Sequence, residues 1–157
     1  MRLERLKQKV WTILSEGNPA YAPTGYAHLA YSACISSILA RKRGLDMELC
    51  QTAGYLHDVW LHLRAPYDDE TVRAHAAEGA VTAREILREL GDYADGEIET
   101  VCRMIANHDF TAQTDDPMSE VMKDADMLSH YLNASAAGRE GDFNPRAAQT
   151  LRELGAL

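Results

Sequence analysis

The chain has 157 residues, 46% of them hydrophobic and 25% charged, with a formal net charge of −8, the balance of a soluble globular domain with one good core. That charge argues against a nucleic-acid polymer as partner, because gripping a phosphate backbone needs a basic face. No apolar run approaches the length of a membrane span, the opening MRLERLKQKV is amphipathic rather than an export signal, and Cys34, Cys50 and Cys102 lack any CxxC spacing, so no membrane, disulfide framework or thiolate zinc site is expected and the cytoplasm is the expected compartment.

Helical periodicity dominates from there on. Leu3, Leu6, Val10, Ile13 and Leu14 recur at helical spacing, with Gly17 as a stop. After the loop NPAYAPTG, a second helix is expected from about Thr24 through YAHLAYSACISSILARKR, basic at its end and followed by Gly44. Asp46 caps a third, MELCQTAGYLHDVWLHL, read as one continuous helix. RAPYDDET breaks the pattern before a long helix through VRAHAAEGAVTAREILREL that Gly91 closes. A fifth runs from about Asp95 to His108, and DFTAQTDDP separates it from a sixth with Pro117 near its first turn. GREGDFN is a last loop, and Asn144-Pro145 starts a short terminal helix. No alternating run is long enough for a strand, so the expected fold is all-α: a single domain, 1–157, of about six or seven helices.

Within these helices the histidines are the informative residues. His28 shares a face with Ile35 and Leu39, His57 with Cys50, Ala53 and Leu61, His75 with Gly79, Thr82, Ile86 and Leu90, and His108 with Ile98, Val101 and Ile105. A lone histidine on an apolar face is ordinarily a satisfied core residue. Four of them, one followed directly by Asp58, need a common partner, because buried imidazoles and carboxylates survive only when paired, hydrogen-bonded or bound to metal. KDADML adds Asp124 and Asp126, which project in nearly opposite directions from a helix, so one of the two enters the site and spacing alone leaves both open.

The order His28, His57-Asp58, His75, His108 and an aspartate in DADML resembles the HD-domain superfamily of metal-dependent phosphohydrolases, over roughly residues 24 to 135. Met127 stands where many members carry a basic residue. The resemblance implies an all-α fold and makes Asp126 the ligand of the pair. It further implies that His28, His57, Asp58 and Asp126 hold one divalent ion, among Mn, Fe, Co, Ni, Zn or Mg, while Asp58, His75 and His108 hold a second, with Asp58 as the bridge. Asp58, His75 and His108 are then also the expected catalytic groups, acting with metal-activated water on a phosphate ester. The expected substrate is a small phosphorylated molecule, with nucleotides as the leading class. A di-iron oxidative enzyme and a catalytically silent nucleotide-binding module are the alternatives, and self-association into a homo-oligomer is left open.

Other residues carry weaker expectations. His62, five residues beyond His57, should point away from it and be exposed or hydrogen-bonded. His130, one turn after Asp126, either orients that carboxylate or lies on the surface. Arg64, Arg73 and Lys123 border the ligand segments and are candidates for phosphate contacts. Trp60 and the aromatic loop before Tyr26 are candidates for stacking a base or for a rim role.

Overall fold

The computed structural model describes residues 1–137 and 144–157. The expected GREGDFN loop therefore lies outside the described residues, apart from Asn144. Eight helical segments and no strand occur among them: α1 Arg2–Gly17, α2 Ala22–Arg43, α3 Met47–Leu56, the single turn α4 Val59–His62, α5 Asp69–Leu90, α6 Asp95–Asn107, α7 Pro117–Ala136 and α8 Pro145–Leu154.

The boundaries follow from identifiable caps. Asp46 accepts the Leu49 N–H at 2.9 Å, Asp68 the Thr71 N–H at 2.7 Å, and Asp116 the N–H groups of Met118 and Ser119, each satisfying donors that a helix start leaves free. Gly44 and Gly91 stop α2 and α5 with φ of 68° and 69°, a left-handed conformation that glycine adopts without strain.

One expectation fails here. The third helix is not continuous through the His57-Asp58 doublet: α3 ends at Leu56, Asp58 adopts φ −114° and ψ 15°, and α4 begins at Val59. The Gly54 carbonyl, which an unbroken helix would offer to the Asp58 N–H, receives the His57 Nδ1–H at 2.9 Å. A side chain that competes with the backbone in this way ends a helix locally. The bend turns the two neighbouring side chains toward one point.

α2 is the central element, packed against α3, α7 and α1, while α5 and α6 pair with each other and close over α4 and α3. Leu29, Ala33, Leu39 and Ala40 of α2 meet Cys50, Ala53 and Leu56 of α3 in the dry core. The α2–α3 contact is close because Gly54 has no side chain; a Cβ there would lie 2.4 Å from the Ala33 Cα. Alanine at position 54 would gain about 1 kcal/mol in helix propensity, but a backbone clash of this size forces the helices apart and costs more. Gly54→Ala should therefore destabilise by about 1–3 kcal/mol net. Gly96→Ala, whose new methyl meets nothing within 4 Å, should be neutral or stabilising. Thermal melts of the two variants side by side would check this, and an unchanged Gly54→Ala midpoint would refute the close-packing account.

Candidate metal centre

Each of the six expected site residues comes from a different part of this frame. His28 projects from the first half of α2, His57 caps α3, Asp58 follows at the bend, His75 lies on α5, His108 caps α6, and Asp126 is on α7. All six are buried, from fully enclosed His57 to His28 at 9% exposure.

Backbone carbonyls fix how three of the rings point. His57, His75 and His108 each place Nδ1 against the carbonyl three residues earlier, at 2.9, 2.5 and 2.6 Å from Gly54, Val72 and Ile105. A carbonyl only accepts, so Nδ1 carries the proton and the lone pair of the neutral ring sits on Nε2. His28 turns Nδ1 toward the Ser129 hydroxyl at 3.4 Å. All four Nε2 atoms therefore face inward.

They meet in two pairs. His28 Nε2 lies 3.1 Å from His57 Nε2, and His75 Nε2 lies 3.1 Å from His108 Nε2. Asp58 stands between the pairs. Its Oδ2 is 3.6 Å from both His28 and His57, and its Oδ1 is 3.7 Å from His75 and 3.6 Å from His108. Asp126 Oδ1 completes the first group at 3.4 Å from His28 and 3.3 Å from His57. Lone pairs turned on one another at 3.1 Å repel unless something positive lies between them. Donor atoms on a cation with bonds of about 2.0 to 2.3 Å lie roughly 2.8 to 3.8 Å from each other, which is the range found here. Asp58 Oδ1 and Asp126 Oδ1 are moreover buried without a hydrogen-bond partner, a costly state for a carboxylate that a bound cation removes. The donor set fits a divalent metal ion.

Protons take the cation's part when metal is absent. Burial alone would lower the His28 imidazole, yet the Asp126 and Asp58 carboxylates outweigh it and raise it to about 10. His108 is likewise raised to about 9 by Asp58 against the effect of burial. Burial would raise Asp58, but His57, His108 and His28 hold it well below the usual carboxylate range. Asp126 is held down in the same way by His130, His28 and His57.

The choice between the two aspartates of DADML is visible in their partners. Asp124 turns to the opposite side of α7, where Arg43 and Arg146 each reach it at 2.6 Å, so Asp126 alone joins the cluster. Lys123 is fully buried and donates to the Gln113 carbonyl, Asp115 and Glu120. The expectation of a phosphate contact from it fails, because all its donors are committed there. Arg64 lies over the Trp60 ring at 3.8 Å and donates to the Trp60 carbonyl, so the two side chains engage each other. Arg73 is on the exposed side of α5.

Two further histidines depart from or sharpen expectation. His62 is hydrogen-bonded as expected, to the Tyr67 hydroxyl at 2.9 Å, but it is buried rather than exposed and its ring meets that of His28 edge-on at 5.5 Å. Burial lowers it to about 4, so it is a neutral ring. Its backbone neighbourhood is open only because Gly25 lacks a side chain; a Cβ there would lie 2.8 Å from the His62 Cγ. His130 reaches Asp126 Oδ1 at 3.4 Å from a half-exposed position, the orienting arrangement. Ser129, which contacts His28 Nδ1, escaped sequence reading. The signal available for it was its place three residues after Asp126, one turn along the same face.

The HD domain family model matches residues 25–131, a span that holds all six clustered residues. Ribonuclease Y from Chlorobium luteolum (strain DSM 273 / BCRC 81028 / 2530) is 28% identical over 127 residues, covering 81% of this chain and 22% of that protein. The chain thus spans about a fifth of that relative's length. No solved structure gives a significant match, and among the described residues no helix is long and apolar enough to cross a membrane. With the family match covering most of the chain and its histidines and aspartates converging as described, the chain belongs to the HD domain family, a family of metal-dependent hydrolases that bind divalent cations.

Proposed function

We propose that the protein is a metal-dependent phosphohydrolase that cleaves a phosphate ester of a small molecule, with mononucleotides among the first candidates, at a site built for two divalent ions. One observation carries this reading: a single carboxylate, Asp58, turns one oxygen to each of two facing imidazole pairs. Among these side chains only a carboxylate has two oxygens to share.

His28, His57, Asp58 and Asp126 would hold one ion, and Asp58, His75 and His108 the other. Bound there, divalent metal supplies hydroxide at neutral pH and offsets charge on the phosphoryl group. The chain's own contribution is to fix these donors before substrate arrives. The carbonyls of Gly54, Val72 and Ile105 lock three rings, and His130 steadies Asp126 from the rim. Few protein donors per ion leave positions for water and substrate, the mark of a catalytic rather than a structural site. Three free cysteines, two of them buried, fit a reducing, cytoplasmic setting.

The test is metal analysis of protein purified without added metal, then a phosphoester screen with each of Mn, Fe, Co, Ni, Zn and Mg restored. The expected result is hydrolysis that chelation removes and metal returns. Because a relative is named a ribonuclease, the screen should include an RNA oligonucleotide. Oxygen consumption with iron, and no hydrolysis with any metal, would replace this reading by the di-iron oxidative one.

A further inference from the structure

Two cavities lie along α2 and α7, and His28 of the metal centre lines one of them. One, of about 480 Å³, is walled by Pro23, Thr24, Ala27, His28, Tyr31 and Asn133. The second, of about 310 Å³, lies farther along the same two helices and includes Tyr31, Cys34, Ile35, Leu132 and Ala136, with Ser129 at its inner end. Tyr31 and Asn133 belong to both, so the two form one cleft. Its inner end reaches His28 itself and Ser129, the hydroxyl against His28 Nδ1.

The chemistry of the wall is uniform. Among the described residues no Lys, Arg, Asp or Glu lines either cavity. Tyr31 and Leu132 stand 57% and 46% exposed, and large apolar side chains left open to water beside a polar centre mark a binding surface. Several basic residues of the frame are occupied elsewhere, Arg43 and Arg146 on Asp124, Lys123 on Asp115 and Glu120, and Arg64 on Trp60, while Arg73 lies on the exposed side of α5. A di- or triphosphate, or a strand of RNA, would bring further charges to a cleft whose described lining residues include no Lys or Arg.

We propose that the substrate is a phosphate monoester of an uncharged, largely apolar alcohol, whose phosphate sits at the metal centre while its organic body lies in the α2–α7 cleft against Tyr31, Ile35 and Leu132. This rests on the phosphohydrolase reading and narrows it: aryl and alkyl monophosphates rank above nucleoside monophosphates, and nucleoside triphosphates and RNA rank last. The volumes suit a drug-sized body.

The experiment compares 2-(1-naphthyl)ethyl phosphate with methyl phosphate, AMP, ATP and an RNA oligonucleotide on metal-restored protein. A second readout needs no turnover. Cys34 is the exposed cysteine and lies in the cleft, whereas Cys50 and Cys102 are buried. Its alkylation by N-ethylmaleimide, followed by mass spectrometry, should be slowed by 1-naphthylmethylphosphonate and not by methylphosphonate. The expected kcat/KM for 2-(1-naphthyl)ethyl phosphate, whose leaving alcohol matches methanol in reactivity, is at least about tenfold above that of every other substrate, as an added apolar group in a matching pocket gives. Leu132→Asp, at an exposed position where folding is not at risk, should reduce the naphthyl-to-methyl ratio at least about tenfold. Equal efficiency on methyl phosphate, or a preference for AMP, ATP or RNA, overturns this inference and leaves the phosphohydrolase reading standing. No hydrolysis of any substrate with any metal overturns both. Unaltered Cys34 alkylation in the presence of the naphthyl phosphonate would show that the cleft does not take the organic body.

Discussion

Asp58→Ala should abolish metal binding at both positions and lower phosphoester hydrolysis by several orders of magnitude. Asp58 meets both imidazole pairs, through Oδ2 at 3.6 Å on one side and Oδ1 at 3.6 and 3.7 Å on the other. Its loss removes a donor from each position together, so hydroxide supply and charge neutralisation fail in the same step. Each lost 1.4 kcal/mol of transition-state stabilisation is about a tenfold effect on rate, and interactions with a doubly charged ion exceed that several times over. The metal-free melting midpoint should move far less than the activity, since a buried carboxylate and its desolvation cost leave together. Metal content by mass spectrometry and turnover of a chromogenic phosphate ester give the two readouts. Retention of a tenth of wild-type activity with normal metal content would show that Asp58 is not the bridge.

Metal affinity should rise steeply with pH, because in the metal-free protein the neighbouring carboxylates favour the protonated forms of His28 and His108, one ring in each facing pair. The raised values, about 10 for His28 and about 9 for His108, mean that at pH 7 the ion must displace a proton at each position. Full loading should therefore release about two protons per chain, and between pH 8 and pH 6 the affinity of each position should fall about a hundredfold. Calorimetry in buffers of different ionisation enthalpy measures the release directly. The sign for the metal-free protein is the reverse. A raised folded-state value means that the imidazolium contributes its full stabilisation below the ordinary histidine value of about 6.5 and loses it as pH rises through about 9 to 10. Melting midpoints of chelated protein should fall over that upper range. Affinity independent of pH between 6 and 8 would show that neutral rings await the metal.

Much of this was legible in the residues because helical periodicity and helix caps are local signals. Asp46, Pro117, Gly44 and Gly91 mark the boundaries that the structure shows at those points. The histidines on apolar faces showed where polar side chains turn inward. What stayed hidden depends on partners remote in sequence. Asp124 and Asp126 were equivalent by spacing, and the difference comes from Arg43 on α2 and Arg146 on α8, 81 and 22 residues away from Asp124. The break at the doublet was invisible because GYLHDVWLHL contains no proline and keeps its apolar period; only the ring of His57 turning back on the Gly54 carbonyl ends the helix. That His62 is buried as well as hydrogen-bonded was hidden because the room for its ring is created by Gly25, on another helix.

The arginine clamp on Asp124 bears on how steadily the other face of the same helix is aimed. Asp124 and Asp126 are two residues apart, about 200° around the axis at 3.6 residues per turn, and Arg43 is itself held by Glu153 and Arg146 by Glu120. Any roll of α7 must stretch these ion pairs on one side as it swings Asp126 on the other. At a side-chain radius of about 5 to 6 Å, a 10° roll would carry the Asp126 oxygen about 1 Å, several times the roughly 0.2 Å over which a metal–ligand bond length is held. Distant salt bridges thus act as a rotational lock on one ligand. The helix α8, which supplies Arg146, thereby sets how little the site must rearrange when an ion arrives.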